Sequence, residues 1–195
     1  EYSQSPAVQY CKLLASLLPK SLEKTYLVNS GTEATEGALK LARRVTGRSQ
    51  LISCNNAYHG NTMGSMSVMG FEARKQAFRP LVPDVDFITF NNEADIQKIT
   101  TKTAGIILES IQGGAGFIQP ENDFLQKVRQ RCDEVGALLI IDEIQPGFGR
   151  TGKLFGFENY NVVPDVVILG KGMGGGMPVG AFTASAAHMD LLSDN

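Results

Sequence analysis

DVVILGKGMGGGMPVG, Asp165 to Gly180, sets four apolar residues against a lysine and a nearly bare loop. Val166 to Leu169 reads as a strand buried on both faces. Gly170 stops it, Lys171 follows, and Gly172, Gly174, Gly175 and Gly176 then leave almost no side-chain cover. A lysine shielded from water at the mouth of such a strand is a candidate nucleophile for a carbonyl. A surface lysine on a turn is the plainer reading of the same residues.

Working outward, short apolar runs alternate with helical periodicity. TYLV (Thr25–Val28), LISC (Leu51–Cys54), VDFITF (Val85–Phe90), AGIILES (Ala104–Ser110), ALLIID (Ala137–Asp142) and VGAFTAS (Val179–Ser185) read as further strands. Helices are expected at Val8–Leu18, Thr32–Val45, Gly60–Met69, Glu93–Thr100 and Asn122–Gly136. Continuous apolar strands separated by helices define an α/β fold, a mostly parallel sheet covered by helices on both faces. No repeat, low-complexity tract or internal linker divides the 195 residues, so 1–195 reads as a single domain.

The bulk numbers narrow the function classes. With 43% hydrophobic and 19% charged residues the chain is globular. A net charge of −2 without a basic block does not suggest a nucleic-acid or anionic-membrane surface. No apolar run approaches the roughly 18 residues a membrane helix needs. Cys11, Cys54 and Cys132 are an odd set without paired spacing, and the chain has two histidines. Neither a disulfide framework nor a metal site is expected, and a reducing, cytoplasmic compartment is. The start EYSQSPAVQY has neither an initiator Met nor a signal-peptide pattern, so the chain reads as trimmed or as a piece of something longer.

Ligands of open α/β sheets sit beyond the carboxyl ends of the strands. The polar residues cluster there: NSGTE, NNAYHGN, ESIQGG, DEIQ and Lys171. Ser30 and Glu33 have the spacing of a capping box, which an ordinary helix start also has. The alternative is an anion site on the helix N–H groups, with Gly31 allowing close approach and the Thr32 hydroxyl adding a donor. Asp142 ends a strongly apolar strand, where an unpaired carboxylate is costly. It caps a neighbouring loop, binds Mg²⁺, or meets a cation supplied by a ligand. Tyr58 and His59 follow the second of these strands; either offers an aromatic face to a planar cofactor, and a lone histidine is also a common structural residue.

Together these segments resemble the class III aminotransferases of the ornithine, acetylornithine and 4-aminobutyrate type, which use pyridoxal 5'-phosphate on a fold-type-I scaffold. The resemblance rests on NSGTEATEGALKLARRVTG, AYHGNTMGSMSV, ILESIQGGAGF, LLIIDEIQPGFGRTGKLFGFE and PDVVILGKGMGGGMPVGAF, in family order from Asn29 to Phe182. It implies that Lys171 forms the Schiff base with the cofactor and shuttles the proton, and that Asp142 pairs with the protonated ring nitrogen. It places Gln145 near the phenolic oxygen, and Gly31 and Thr32, with Ser30 adjacent, at the phosphate. Tyr58 would stack on the ring, Glu109 is the acid of the E-P-x-Q-G loop, and the loop glycines would leave room for ring and substrate. The implied reaction moves an amino group from an amine or amino-acid donor to a 2-oxo acid, in a homodimer.

Three departures limit the substrate. Asn61 stands where relatives usually carry an arginine that reads a substrate carboxylate; Ser110 replaces the proline of E-P-x-Q-G; and Gly114 stands where ornithine-type enzymes often carry a gating glutamate. The family is about twice as long, so the chain is expected to hold most of the large domain, to lack the C-terminal small domain, and to end before a threonine that reaches the neighbouring cofactor. Alone it should bind cofactor weakly and turn over poorly. An aminomutase or decarboxylase on the same scaffold, or a non-catalytic α/β ligand-binding domain, are the rival readings.

Overall fold

The computed structural model describes residues 4–192. The outermost residues of the expected 1–195 domain, 1–3 and 193–195, lie outside those described. Seven strands form one sheet: β1 (Lys24–Val28), β2 (Gln50–Cys54), β3 (Val85–Ile88), β4 (Thr103–Glu109), β5 (Leu138–Asp142), β6 (Val166–Leu169) and β7 (Gly180–Ala184), in the order β1-β7-β6-β5-β4-β2-β3. The helices are α1 (Ser5–Leu17), α2 (Gly31–Thr46), α3 (Met63–Ser67), α4 (Glu72–Lys75), α5 (Phe124–Val135) and α6 (Ala186–Met189). β7 pairs antiparallel with both β1 and β6, and every other pairing is parallel. Six strands therefore point one way, and their carboxyl ends share one edge.

The strands are buried on both faces because alternate residues feed two cores. Leu139, Ile141, Val167 and Leu169 pack with Leu125, Val128 and Cys132 of α5 and with Leu14 of α1. Leu138, Ile140, Val166 and Ile168 pack with Ala34, Ala38, Leu41 and Ala42 of α2. The small residues on α2 bring that helix close to the sheet, as does Gly37, where a Cβ would run into the Phe182 ring. At the start of α2 the contact is backbone on backbone: a Cβ on Gly180 would stand 2.5 Å from the Ser30 carbonyl oxygen and 3.1 Å from the Gly31 nitrogen. Neither atom can swing aside, so Gly180→Ala is expected to cost about 1–3 kcal/mol in urea unfolding.

Of the expected elements that come out shorter, three have a visible cause. The stretch Gly60–Met69 is helical only over Met63–Ser67, because Gly60 lies at φ 130 and Thr62 caps the helix. VDFITF pairs only as far as Ile88; the Thr89 N–H donates to Asp95 Oδ2 instead (2.7 Å). Glu93–Lys98 forms a 3-10 helix, shorter than the expected Glu93–Thr100. No described helix is long and apolar enough to cross a membrane, and Cys11, Cys54 and Cys132 are free thiols.

Candidate active site

Five strands deliver the candidate residues to the common edge. β1 runs into the start of α2, β2 into Tyr58–Asn61, β4 ends on Glu109, β5 on Asp142, and β6 leads into Lys171. Glu109 and Asp142 are direct neighbours in the β4–β5 register. Gly31, Thr32, Tyr58, His59, Asn61, Glu109, Asp142, Gln145 and Lys171 line one cleft of about 250 Å³, joined by Gly60 and Ile144. Of the residues expected there, only Ser30 is missing from the wall. Its hydroxyl caps α2 by accepting from the Glu33 N–H (3.3 Å), while Glu33 Oε2 accepts from the Asn29 N–H (2.6 Å).

Asp142 does not wait for a ligand to satisfy it. Its Oδ2 lies 2.8 Å from His59 Nδ1, both side chains are buried, and its Oδ1 accepts from the Ile144 N–H at 2.9 Å. His59 is therefore held by its ring edge as the partner of the acid. The Thr35 hydroxyl fixes the loop by donating to the His59 carbonyl (2.9 Å), and His59 Nε2 is buried without a partner among the described residues. Such an atom, at the wall of a cleft, calls for a bound group or water.

Glu109 accepts from the N–H of Gly113 (3.1 Å) and of Tyr58 (3.4 Å), tying two loops to β4. Burial pushes its pKa up to about 7; His59 and the two N–H bonds pull it down, and Asp142 pushes it further up. Glu143 is also raised to about 7, again chiefly by burial. The unfolded chain releases these protons near 4.5 and the folded chain near 7, so the folded state binds more protons in between. Stability is expected to fall as pH rises from about 4.5 to about 7, by up to about 1.4 kcal/mol per pH unit per group. Urea unfolding at several pH values checks this, and Glu109→Gln should flatten the slope.

Of the two readings of Lys171, the shielded one is not met: its side chain is exposed, as on a surface turn. Its backbone adopts φ 45, the left-handed region that side chains other than Asn and Asp rarely enter. Gly170 before it is extended, so the chain leaves β6 straight and turns sharply at the lysine. The glycines do not widen the cleft. Gly172, Gly174, Gly175 and Gly176 are absent from its wall, and Gly175 and Gly176 take positive φ in open space. Their use is to let the loop turn.

At the opposite wall, Gly31 and Thr32 occupy the first two positions of α2, whose N–H groups have no intrahelical acceptor. The Thr32 hydroxyl is not spare: it bonds Thr62 Oγ1 and Ser65 Oγ, each at 2.7 Å.

Several residues here escape a reading of the sequence. Ile144 fills the space beside Gly31 and Gly170; its only signal is an apolar residue inside DEIQ. Glu143 is as buried as Asp142, and Ser110 is fully buried against it. The Ser110 hydroxyl donates to Glu143 Oε1 at 2.7 Å, which no proline could do. The signal for Glu143 was the same as for Asp142, an acid directly after an apolar strand.

The class III aminotransferase family profile matches residues 1–194, and the chain belongs to that family. It is 48% identical over 166 residues to the [LysW]-aminoadipate semialdehyde/glutamate semialdehyde transaminase of Sulfolobus acidocaldarius, covering 85% of this chain and 43% of the relative. It is 44% identical over 184 residues to the acetylornithine aminotransferase of Methanopyrus kandleri, covering 94% of this chain and 47% of that one. The ornithine aminotransferase of Toxoplasma gondii, whose structure was determined with partial occupancy of PLP at its active site, superposes with a TM-score of 0.92 at 29% identity. That match covers 100% of this chain and 48% of the other, so the chain spans about half the length of the relatives it matches.

Proposed function

We propose that the chain is the cofactor-binding portion of a pyridoxal-phosphate-dependent transaminase that moves an amino group from an amine or amino-acid donor to a 2-oxo acid. The observation that carries this reading is the convergence of Asp142, Lys171 and the start of α2 on one cleft. The three poles of the cofactor find matching groups: Asp142 for a protonated ring nitrogen, Lys171 for the aldehyde, and the N–H groups of Gly31 and Thr32 for the phosphate. Bound there, the cofactor would supply an electron sink for the carbanion left when the donor loses the proton from the carbon bearing its reacting amine. His59 would hold Asp142 in place, Tyr58 would stack on the ring beside Ile144, and Gln145 lines both this cleft and a second one of about 680 Å³. The Lys171 amine, exposed and carried on a strained turn, takes and returns the proton.

The donor belongs to the acetylornithine and ornithine kind, in keeping with the relatives' names, and the partner is a second copy of the protein in the cytoplasm. Asn61 lines the cleft where a guanidinium would read a carboxylate, so the donor's own carboxylate contributes little. An amino-donor panel on the full-length protein, with 2-oxoglutarate and pyruvate as acceptors, tests this. Turnover of acetylornithine or ornithine is expected, with less than about a tenfold loss for the matching amine without its carboxylate. No turnover of any donor would refute the assignment.

A further inference from the structure

Glu143 lies outside the cleft and has no part in the chemistry above, yet it is the most heavily tied carboxylate next to it. Its Oε1 accepts from the Ser110 hydroxyl (2.7 Å) and the Phe157 N–H (3.0 Å), and its Oε2 accepts from the Gly156 N–H (2.6 Å). The backbone of the same residue donates to the Ile168 carbonyl of β6 (2.9 Å) and accepts from the Gly147 N–H (3.0 Å). One fully buried residue thus joins the exits of β4 and β5, the edge of β6, and the 3-10 helix Gly156–Tyr160. The packing is tight on every side: a Cβ on Gly156 would stand 2.4 Å from Ser110 Oγ, and one on Gly147 would stand 2.5 Å from the Glu143 carbonyl oxygen.

The segment held this way, 143–147, carries Ile144 and Gln145 into the cleft wall. Its neighbour, the loop after β4, presses against it: a Cβ on Gly113 would stand 2.8 Å from the Gln145 amide. We infer that Glu143, bolted by Ser110, is a positioning residue that fixes Asp142, Ile144 and Gln145 against the cofactor. This rests on the cofactor reading above. An acceptor-only group suits the site because all three of its partners are donors. Glutamine keeps the shape but points an amide N–H at one of the two backbone N–H groups, so one bond is lost and two donors face each other.

The test compares the full-length protein with its Glu143→Gln and Ser110→Ala variants at pH 8, by pyridoxal phosphate titration followed by absorbance, thermal unfolding and amide hydrogen exchange. Glu143→Gln is expected to weaken cofactor binding about tenfold or more and to shift the bound cofactor's absorbance maximum. Ser110→Ala should weaken binding about fivefold, the equivalent of one hydrogen bond. In both variants exchange should quicken over 110–114, 143–147 and 156–157 and stay slow in β4, β5 and β6. The inference is overturned if a folded variant binds cofactor with unchanged affinity and absorbance, or if exchange quickens uniformly with lost stability. Should Glu143→Gln fail to fold, Ser110→Ala decides by the same criteria. Should the unaltered full-length protein take up no pyridoxal phosphate, the proposed function fails, and the exchange pattern alone decides: local quickening supports the bolt and uniform or unchanged exchange refutes it.

Discussion

Lys171→Ala is expected to abolish the borohydride-reducible absorbance that the protein gains with pyridoxal phosphate. It should also lower turnover of the full-length protein by at least about 10²–10⁴-fold, the share a positioned acid–base group commonly supplies. No other lysine lines the cleft, so nothing stands ready to replace it. The fold should survive, because the side chain is exposed and no packing is lost. The backbone adds an independent consequence. At φ 45 any side chain strains the turn, and glycine does not. Lys171→Gly should therefore be at least as stable as the unaltered chain and more stable than Lys171→Ala, by about 1 kcal/mol. Equal stability of the two variants in urea would show that the turn holds no strain.

Asp142→Ala should damage both stability and cofactor binding. It strips a partner from His59 Nδ1 and from the Ile144 N–H in a region where both side chains of the acid–imidazole pair are buried. Two orphaned polar groups cost about 1–3 kcal/mol each, so an unfolding loss of about 2–6 kcal/mol is expected. Asp142→Asn separates the two roles. The amide retains an oxygen for the Ile144 N–H and so loses less stability, but it brings no negative charge to a protonated ring nitrogen. Its cofactor affinity should fall nearly as far as that of the alanine variant. If the two variants lose stability and affinity in the same proportion, Asp142 acts only through the fold.

Much of this arrangement is legible in short stretches of the sequence. Val166–Leu169 and Leu138–Ile141 announce strands buried on both faces, and the two cores explain why every residue in them is apolar. The polar groups after each strand converge because six of the seven strands share a direction. The direction of β7 was not legible: VGAFTAS has the same composition either way, and only its place between β1 and β6 makes it antiparallel. The partners of the buried acids were hidden for a similar reason. His59 and Asp142 are 83 residues apart, and Ser110 and Glu143 are 33 apart. Such pairs meet through the order of strands in the sheet, which no local pattern encodes. The place of Lys171 at the end of β6 is legible, but its exposure depends on the path of a loop whose glycines stay out of the cleft wall. Ser30 shows its capping role in the sequence, and its hydroxyl accepts from the Glu33 N–H as the S-x-x-E spacing predicts.

The most direct measurement is to locate the covalent attachment. The protein is loaded with excess pyridoxal phosphate, reduced with borohydride, digested, and its peptides are mapped by mass spectrometry. A single stoichiometric adduct on Lys171, absent from Lys171→Ala, is the predicted result. No adduct, or a label spread over other lysines that survives in Lys171→Ala, would contradict the assignment of this cleft to the cofactor.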